Sequence, residues 1–294
     1  MKEFRDWICQ GLLQSALRKV ANGYNYYKVR NKTLPAPFEF NVVSVSDKNW
    51  FYHIFEIGCF LDSSVTHGCV FYYLRKIGFY GKSAAVRFTT TDVYAMFVSQ
   101  SRNKSVCNVD DMLIDYILGY KIICAVPWSK VDHVMFPMHL EINNVGHWIL
   151  GRFSLDDMKL YIYNSIRTED CDVLVTEIVK AYVEILPIFL ALVNFSRSGV
   201  ACNGNIEVVM VDNLPQQNNS DCGVYVASFA EHFISGHEIN KEKFDVTSFR
   251  ERYAYLLYDH GKMKQDNGYV SDDESPGSAP DEVRISLLNL REKS

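Results

Sequence analysis

Apolar residues recur at Phe4, Ile8, Leu12, Ala16 and Val20, and Trp7, Leu13 and Leu17 broaden the same face, so the spacing predicts an amphipathic helix over residues 3–21. A helix that packs on the rest of the chain explains this face more simply than a membrane anchor does. Asn22-Gly23 stops it, and the basic, Tyr-rich run to Lys32 followed by Pro35-Ala36-Pro37 reads as an extended linker. Phe71 to Lys76, ahead of Gly78, predicts a helix closed by a glycine cap. Thr89-Thr90-Thr91-Asp92 offers an N-cap for a helix through Val98, and Asp110-Asp111 opens another through Tyr116. Lys121 to Val126 reads as a buried strand ended by Pro127-Trp128.

The clearest β pattern lies further on. His147 to Leu155 and Lys159 to Asn164 flank Asp156-Asp157-Met158, two strand-like runs around a short turn, which predicts a hairpin. Residues 170–195 have a helical period that Pro187 should break or kink. Ile206 to Val211 reads as a further strand, Asp212 to Ser220 as a polar loop, and Gly223 to Ile234 as a helix. Beyond Lys264 the chain turns to Ser, Asp, Glu, Pro and Gly, a composition that predicts disorder. The pattern therefore divides the chain into an N-terminal extension and linker (1–45), a compact domain (46–265) and an acidic tail (266–294).

Of the 294 residues, 48% are hydrophobic and 14% aromatic, ample for a sizeable core, so wholesale disorder is excluded. The net charge of −5 supplies no basic field for nucleic acid. Residues 1–34 carry seven Lys/Arg against two Asp/Glu, and residues 266–294 carry three against seven, so a basic front and an acidic tail hang on a mildly acidic body. The most apolar stretch, residues 185–195, is about half the length a bilayer span needs. Acidic residues near Met1 and the missing apolar run argue against a secretory signal. Eight cysteines without a CxxC pair suggest reduced thiols rather than zinc ligands or a disulfide framework. The expectation is an intracellular monomer of nucleus or cytoplasm, with no membrane or nucleic-acid partner, no metal and no cofactor.

Cys222 stands in Ser220-Asp221-Cys222-Gly223 where the polar loop meets a helix. A thiol there faces unpaired N–H groups and the positive end of the dipole, which favours thiolate, and Gly223 lets a substrate backbone approach. A buried cysteine is ordinarily a small hydrophobe, so Cys222 needs supporting groups before chemistry is assigned to it. A cysteine nucleophile needs an imidazole to shuttle its proton, an acceptor to orient that imidazole, and donors for the oxyanion. His147 starts one predicted strand and Asn164 ends the next, so the two can meet at one sheet edge. Gln216, six residues before the cysteine, can place its amide beside the Cys222 N–H, and the adjacent Gln217 is the alternative.

With His147-Trp148, Tyr163-Asn164-Ser165, Pro215-Gln216-Gln217 and Asp221-Cys222-Gly223 in this order and spacing, the chain resembles the ubiquitin-like-protein-specific (SUMO) cysteine proteases, relatives of the adenoviral proteinase. Tyr72 to Lys76, Thr89 to Asp92 and Pro127 to Asp132 are similar to the plant, transposon-derived members. The resemblance covers about residues 48–262. It implies an α+β, papain-like or adenain-like fold with a central mixed sheet flanked by helices. It also implies cleavage of a peptide or isopeptide bond after the Gly-Gly end of SUMO or a related ubiquitin-like protein, threaded between aromatic walls. Trp148 would be one wall. Two positions depart from the family pattern: Asn164 stands where an Asp is usual, and Phe60, before Leu61-Asp62, where a Trp is usual. Two rival readings follow, a weakened relative that binds a ubiquitin-like protein without turnover, and an acyltransferase using the same Cys/His pair.

Overall fold

The two strand-like runs on either side of Asp156-Asp157-Met158 form the hairpin they predict, and that hairpin is the centre of a larger sheet. The computed structural model describes residues 1–14, 19–20, 23–61, 64–80, 84–91, 112–142, 145–197, 200–201, 205–268 and 278–291. In chain order its helices are α1 (Lys2–Cys9), α2 (Val29–Lys32), α3 (Lys48–Phe55), α4 (Phe71–Tyr80), α5 (Met112–Leu118), α6 (Glu169–Leu192), α7 (Cys222–Ile234), α8 (Val246–Asn267) and α9 (Asp281–Arg291). Its strands are β1 (Lys19–Val20), β2 (Gly23–Tyr24), β3 (Thr33–Glu39), β4 (Ser44–Asp47), β5 (Phe88–Thr90), β6 (His133–Ile142), β7 (Val145–Ser154), β8 (Lys159–Tyr163), β9 (Ser196–Arg197), β10 (Val200–Ala201) and β11 (Glu207–Met210). The chain forms two compact units, the first from Met1–Cys69, Asn218–Val224 and Asp245–Asp273, the second from the remainder.

The first unit is built on aromatic packing. Trp7 and Phe4 of α1 lie 4.6 and 5.3 Å from the Tyr258 ring of α8, and Phe38 of β3 meets Phe51 of α3 edge-on at 5.3 Å. The expected helix over 3–21 stops at Cys9 instead. Gly11 takes φ +82°, and a Cβ there would collide with the Asn31 side chain, so the chain turns where only glycine fits. Residues 1–45 are also more than an extension and linker. Phe4, Ile8 and Tyr27 are fully buried, and Tyr27 donates its hydroxyl proton to the Ile8 carbonyl at 2.7 Å. The aromatic run therefore supplies core rather than connection. Asp47 caps α3 through the Asn49 N–H, and Asp245 caps α8 through the Thr247 N–H.

The second unit holds a five-stranded mixed sheet in the order β11-β8-β7-β6-β5. β6, β7 and β8 are antiparallel neighbours, whereas β5 joins β6, and β11 joins β8, in parallel. Val175, Val179, Tyr182 and Leu186 of α6 pack into one core with Phe136, Ile149 and Ile162 of the sheet. α6 runs through Pro187 without a break, with Ile185, Leu186, Phe189 and Leu190 fully buried on both sides of it. Strand β6 has no counterpart in the sequence pattern because Pro137 lies within it. Among the described residues β5 pairs only with His133 to Met135, so Pro137 withholds no donor from that neighbour.

Several other expectations change. Gly78 is no cap: α4 continues to Tyr80, and a Cβ at Gly78 would meet the Phe88 carbonyl at 2.6 Å, so the glycine serves close packing. Thr89 and Thr90 belong to β5, and the helix expected through Val98 falls on residues outside the described ones. Residues 121–126 form turns, with Cys124 at φ +58°, and no strand. The tail is not wholly irregular, since α8 extends to Asn267 and α9 forms near the C-terminus. The buried Asp115 carboxylate receives the Ala279 N–H at 2.8 Å and the Arg284 guanidinium at 2.5 Å, an anchor that local composition does not register. Among the described residues no helix is long and apolar enough to cross a membrane.

Candidate active site

In the second unit, antiparallel pairing of β7 with β8 brings the start of one strand to the end of the other. His147 and Asn164 are both buried, and His147 Nε2 lies 2.8 Å from Asn164 Oδ1. The amide has a fixed orientation. Its Oδ1 also accepts the Ile166 N–H at 3.0 Å, and its Nδ2 donates to Cys171 Sγ at 3.3 Å. An amide oxygen only accepts, so the imidazole proton sits on Nε2 and leaves the lone pair on Nδ1. Nδ1 is buried without a hydrogen-bond partner among the described residues. Burial holds the His147 pKa below its ordinary value, the Asn164 bond opposes that, and His139 adds to the lowering. Burial therefore favours the neutral ring, with the Nδ1 lone pair unpaired among the described residues.

Trp148 is buried beside His139, ring centroids 4.6 Å apart, in cross-strand register. The loop from Leu214 to Gln217 is tied to the same strand end. Gln217 N–H donates to the Ser165 carbonyl at 2.9 Å and its Oε1 accepts the Ser165 hydroxyl at 2.7 Å. Gln216 is exposed, and its Nε2 lies 3.2 Å from the Leu214 carbonyl and 3.4 Å from the Asn164 carbonyl. Tyr225 donates its hydroxyl proton to the Gln216 carbonyl at 3.1 Å, which fixes the backbone there.

Cys222, Gly223 and Phe60 belong to the first unit. Cys222 is the first residue of α7, and the Val224 N–H closes the first turn on the Asp221 carbonyl at 2.9 Å. Cys222 is almost fully buried. Asp221 Oδ1 accepts from Arg250 Nε at 2.6 Å and from the Gly58 N–H at 3.1 Å. Phe60 is 36% exposed and lines a cavity of about 430 Å³ with Tyr26, His53, Ile57, Gly58 and Cys59. Burial pushes the Cys59 and Cys171 thiols up, so neither is poised as thiolate. Among the described residues no group of three or more His, Cys, Asp or Glu is placed to hold a metal ion.

The structure thus joins His147 to Asn164 and adds Cys171, Asp221 and Arg250, which the sequence reading did not single out. Asp221 stood in the quoted motif, whereas nothing local marks Arg250 or Cys171.

A histidine held by an asparagine at a strand end and a cysteine opening a helix are residue types that a thiol hydrolase uses. The model of the Ulp1 protease family's C-terminal catalytic domain matches residues 80–264, and the chain belongs to this family. It is an α+β cysteine-protease domain of the Ulp1 kind. No curated protein matches the chain. Among solved structures it is similar to the C-terminal Ulp1 protease domain in complex with Smt3, the yeast ortholog of SUMO, at 13% identity over 87% of this chain and 92% of that one, TM-score 0.45. It is also similar to the Chaetomium thermophilum Ulp1-like SUMO protease catalytic domain, at 17% identity over 88% and 89%, TM-score 0.47. A third likeness is to the Chlamydia trachomatis effector Cdu1 bound to ubiquitin, at 11% identity over 74% and 97%, TM-score 0.38.

Proposed function

We propose that this chain is a peptidase and isopeptidase that cleaves after the Gly-Gly end of a ubiquitin-like modifier of the SUMO type, in the nucleus or cytoplasm. The observation that carries the reading is the imidazole of His147, held through Nε2–H by Asn164, with a buried Nδ1 that has no partner among the described residues. That is the state a cysteine nucleophile requires of its base. In the proposed reaction the Cys222 thiol passes its proton to His147 and the thiolate attacks the glycine carbonyl. The Gln216 amide and the Cys222 N–H hold the oxyanion. His147 then returns the proton to the leaving amine, and water hydrolyses the thioester. Phe60 and Trp148 flank the Gly-Gly tail, Gly223 lets it approach, and no cofactor takes part.

The test is cleavage of a panel of ubiquitin-like fusions together with labelling by a thiol-reactive Gly-Gly probe. The parent protein should cleave a SUMO fusion and take up the probe, and Cys222→Ser should abolish both while unfolding cooperatively like the parent. Labelling that persists in Cys222→Ser would refute the site. Tight binding of the modifier without turnover would favour the binding-module reading instead.

A further inference from the structure

Arg250 of α8 is completely buried in the first unit, and its contacts extend well beyond its ion pair. Nε donates to Asp221 Oδ1, Nη1 donates to the His53 carbonyl at 2.8 Å and the Ile54 carbonyl at 3.0 Å, and Nη2 donates to the Cys59 carbonyl. His53 and Ile54 lie in the last turn of α3, where carbonyls lack helical partners and a cation is favoured. Cys59 lies in the loop that follows, next to Phe60. The same Oδ1 of Asp221 also accepts the Gly58 N–H in that loop, and Gly58 takes φ +74° to present it. One guanidinium and one carboxylate thus fix four backbone groups of residues 53–59, and the carboxylate belongs to the residue just before Cys222.

A buried ion pair is a poor device for stability alone, because desolvation offsets most of its attraction. A planar donor fork that sets several carbonyls at once is a good device for geometry. We infer that Arg250 is a positioning residue: through Asp221 it sets the start of the Cys222 helix, and through the Cys59 carbonyl it sets the Phe60 loop, so that nucleophile and substrate wall are held in one register. The inference rests on Cys222 being the nucleophile and adds the group that places it.

Two variants, with Arg250→Gln alone as a stability control, separate positioning from plain stability. Arg250→Lys keeps the charge beside Asp221, yet a single ammonium lacks the planar fork that donates to the carboxylate and three carbonyls at once. The double variant Asp221→Asn/Arg250→Gln removes both buried charges, so no orphan ion remains, but Gln is too short to reproduce the fork. Each is compared with the parent by thermal unfolding, by iodoacetamide alkylation of Cys222 followed by mass, and by kcat and KM on a SUMO fusion ending in Gly-Gly. In both variants alkylation and kcat should fall at least about ten-fold and KM should rise, since displacements near 1 Å can cost that much. The double variant should melt closer to the parent than Arg250→Gln alone while gaining no activity. A variant whose kcat falls only with its folded fraction, at unchanged KM and alkylation rate, overturns the inference, as does a double variant within about two-fold of the parent. A parent protein that alkylates at Cys222 but cleaves no fusion would count against the proposed reaction, and the alkylation rates would still decide the role of Arg250.

Discussion

In the first unit the residue beside the cysteine is held by a fully buried guanidinium against a carboxylate, with backbone carbonyls filling the remaining donors. In the second unit the histidine is held by a neutral amide, which is held in turn by a thiol sulfur and one backbone N–H. The first arrangement is charged, and removing either partner strands an ion in the core. The second contains no formal charge at rest, and its strength lies in which atom faces which. The proposed reaction would make different demands on the two: the helix of Cys222 must not drift, whereas His147 must change charge. A neutral amide lets the imidazole remain a base before the proton arrives, although it does less to hold the imidazolium afterwards.

The comparison predicts its own largest effect. Among the described residues Arg250→Ala leaves the buried Asp221 carboxylate with the Gly58 N–H alone, and a stranded buried charge costs about 3–5 kcal/mol. For a chain of this size that lowers Tm by roughly 10 °C. Asn164→Ala loses neutral hydrogen bonds only and should cost about 1–3 kcal/mol. Denaturant melts of the two variants check the contrast, and equal losses would show that the charged and neutral halves are not energetically distinct.

How much of this was legible in the sequence differs between the halves. The hairpin from His147 to Asn164 was visible because two apolar, strand-like runs flank a short Asp-rich turn, and it alone puts the histidine beside its amide. The start of α7 at Cys222 was visible from the polar-to-apolar switch. Arg250 was not, because a lone arginine on a helix looks like any surface cation until the fold buries it 29 residues from its partner. Strand β6 was hidden by Pro137, and the early end of α1 by a positive φ at Gly11, which the helical period of the apolar residues around it masks. In the tail, composition predicted disorder while a single buried carboxylate, Asp115, recruits Arg284 and Ala279 from far along the chain. Long-range polar contacts leave no periodic trace, which is why Arg250 and the Asp115 anchor escaped the pattern.

Asn164→Asp tests the neutral half by making it charged. In the parent, burial holds the His147 pKa below its ordinary value, so folding favours the neutral ring. That contribution is present above the unfolded pKa of about 6.5 and is lost as pH falls below it. A carboxylate at position 164 favours the imidazolium and reverses the sign. The variant should therefore lose less stability than the parent between about pH 7 and about pH 5.5. It should also form the thiolate–imidazolium pair more readily, which moves the acidic limb of the alkylation profile to lower pH and raises the rate several-fold to ~100-fold, about 1–3 kcal/mol. Alkylation and unfolding measured across that range check both, and superimposable profiles would leave Asn164 as no more than the end of a hairpin.

The smallest effect concerns Cys171, in the first turn of α6, whose backbone N–H is capped by Thr168 at 3.3 Å. Its sulfur accepts from Asn164 Nδ2, and burial keeps the thiol protonated, so it is a weak neutral acceptor. That contact specifies which end of the amide faces His147. If the amide flipped, Nδ2 would face Nε2, the ring proton would move to Nδ1, and the lone pair that a thiol needs would be gone. Cys171→Ala removes one of the two groups that prevent the flip, while the Ile166 N–H remains on Oδ1. The expected loss is accordingly modest, about 1 kcal/mol in stability and about three-fold in the alkylation rate of Cys222. Cys171→Ser, which offers a better acceptor in nearly the same place, should restore both. An alanine variant that alkylates at the parent rate would show that Ile166 suffices to orient the amide, whereas a loss that serine fails to rescue would assign Cys171 to packing rather than to the tautomer of His147.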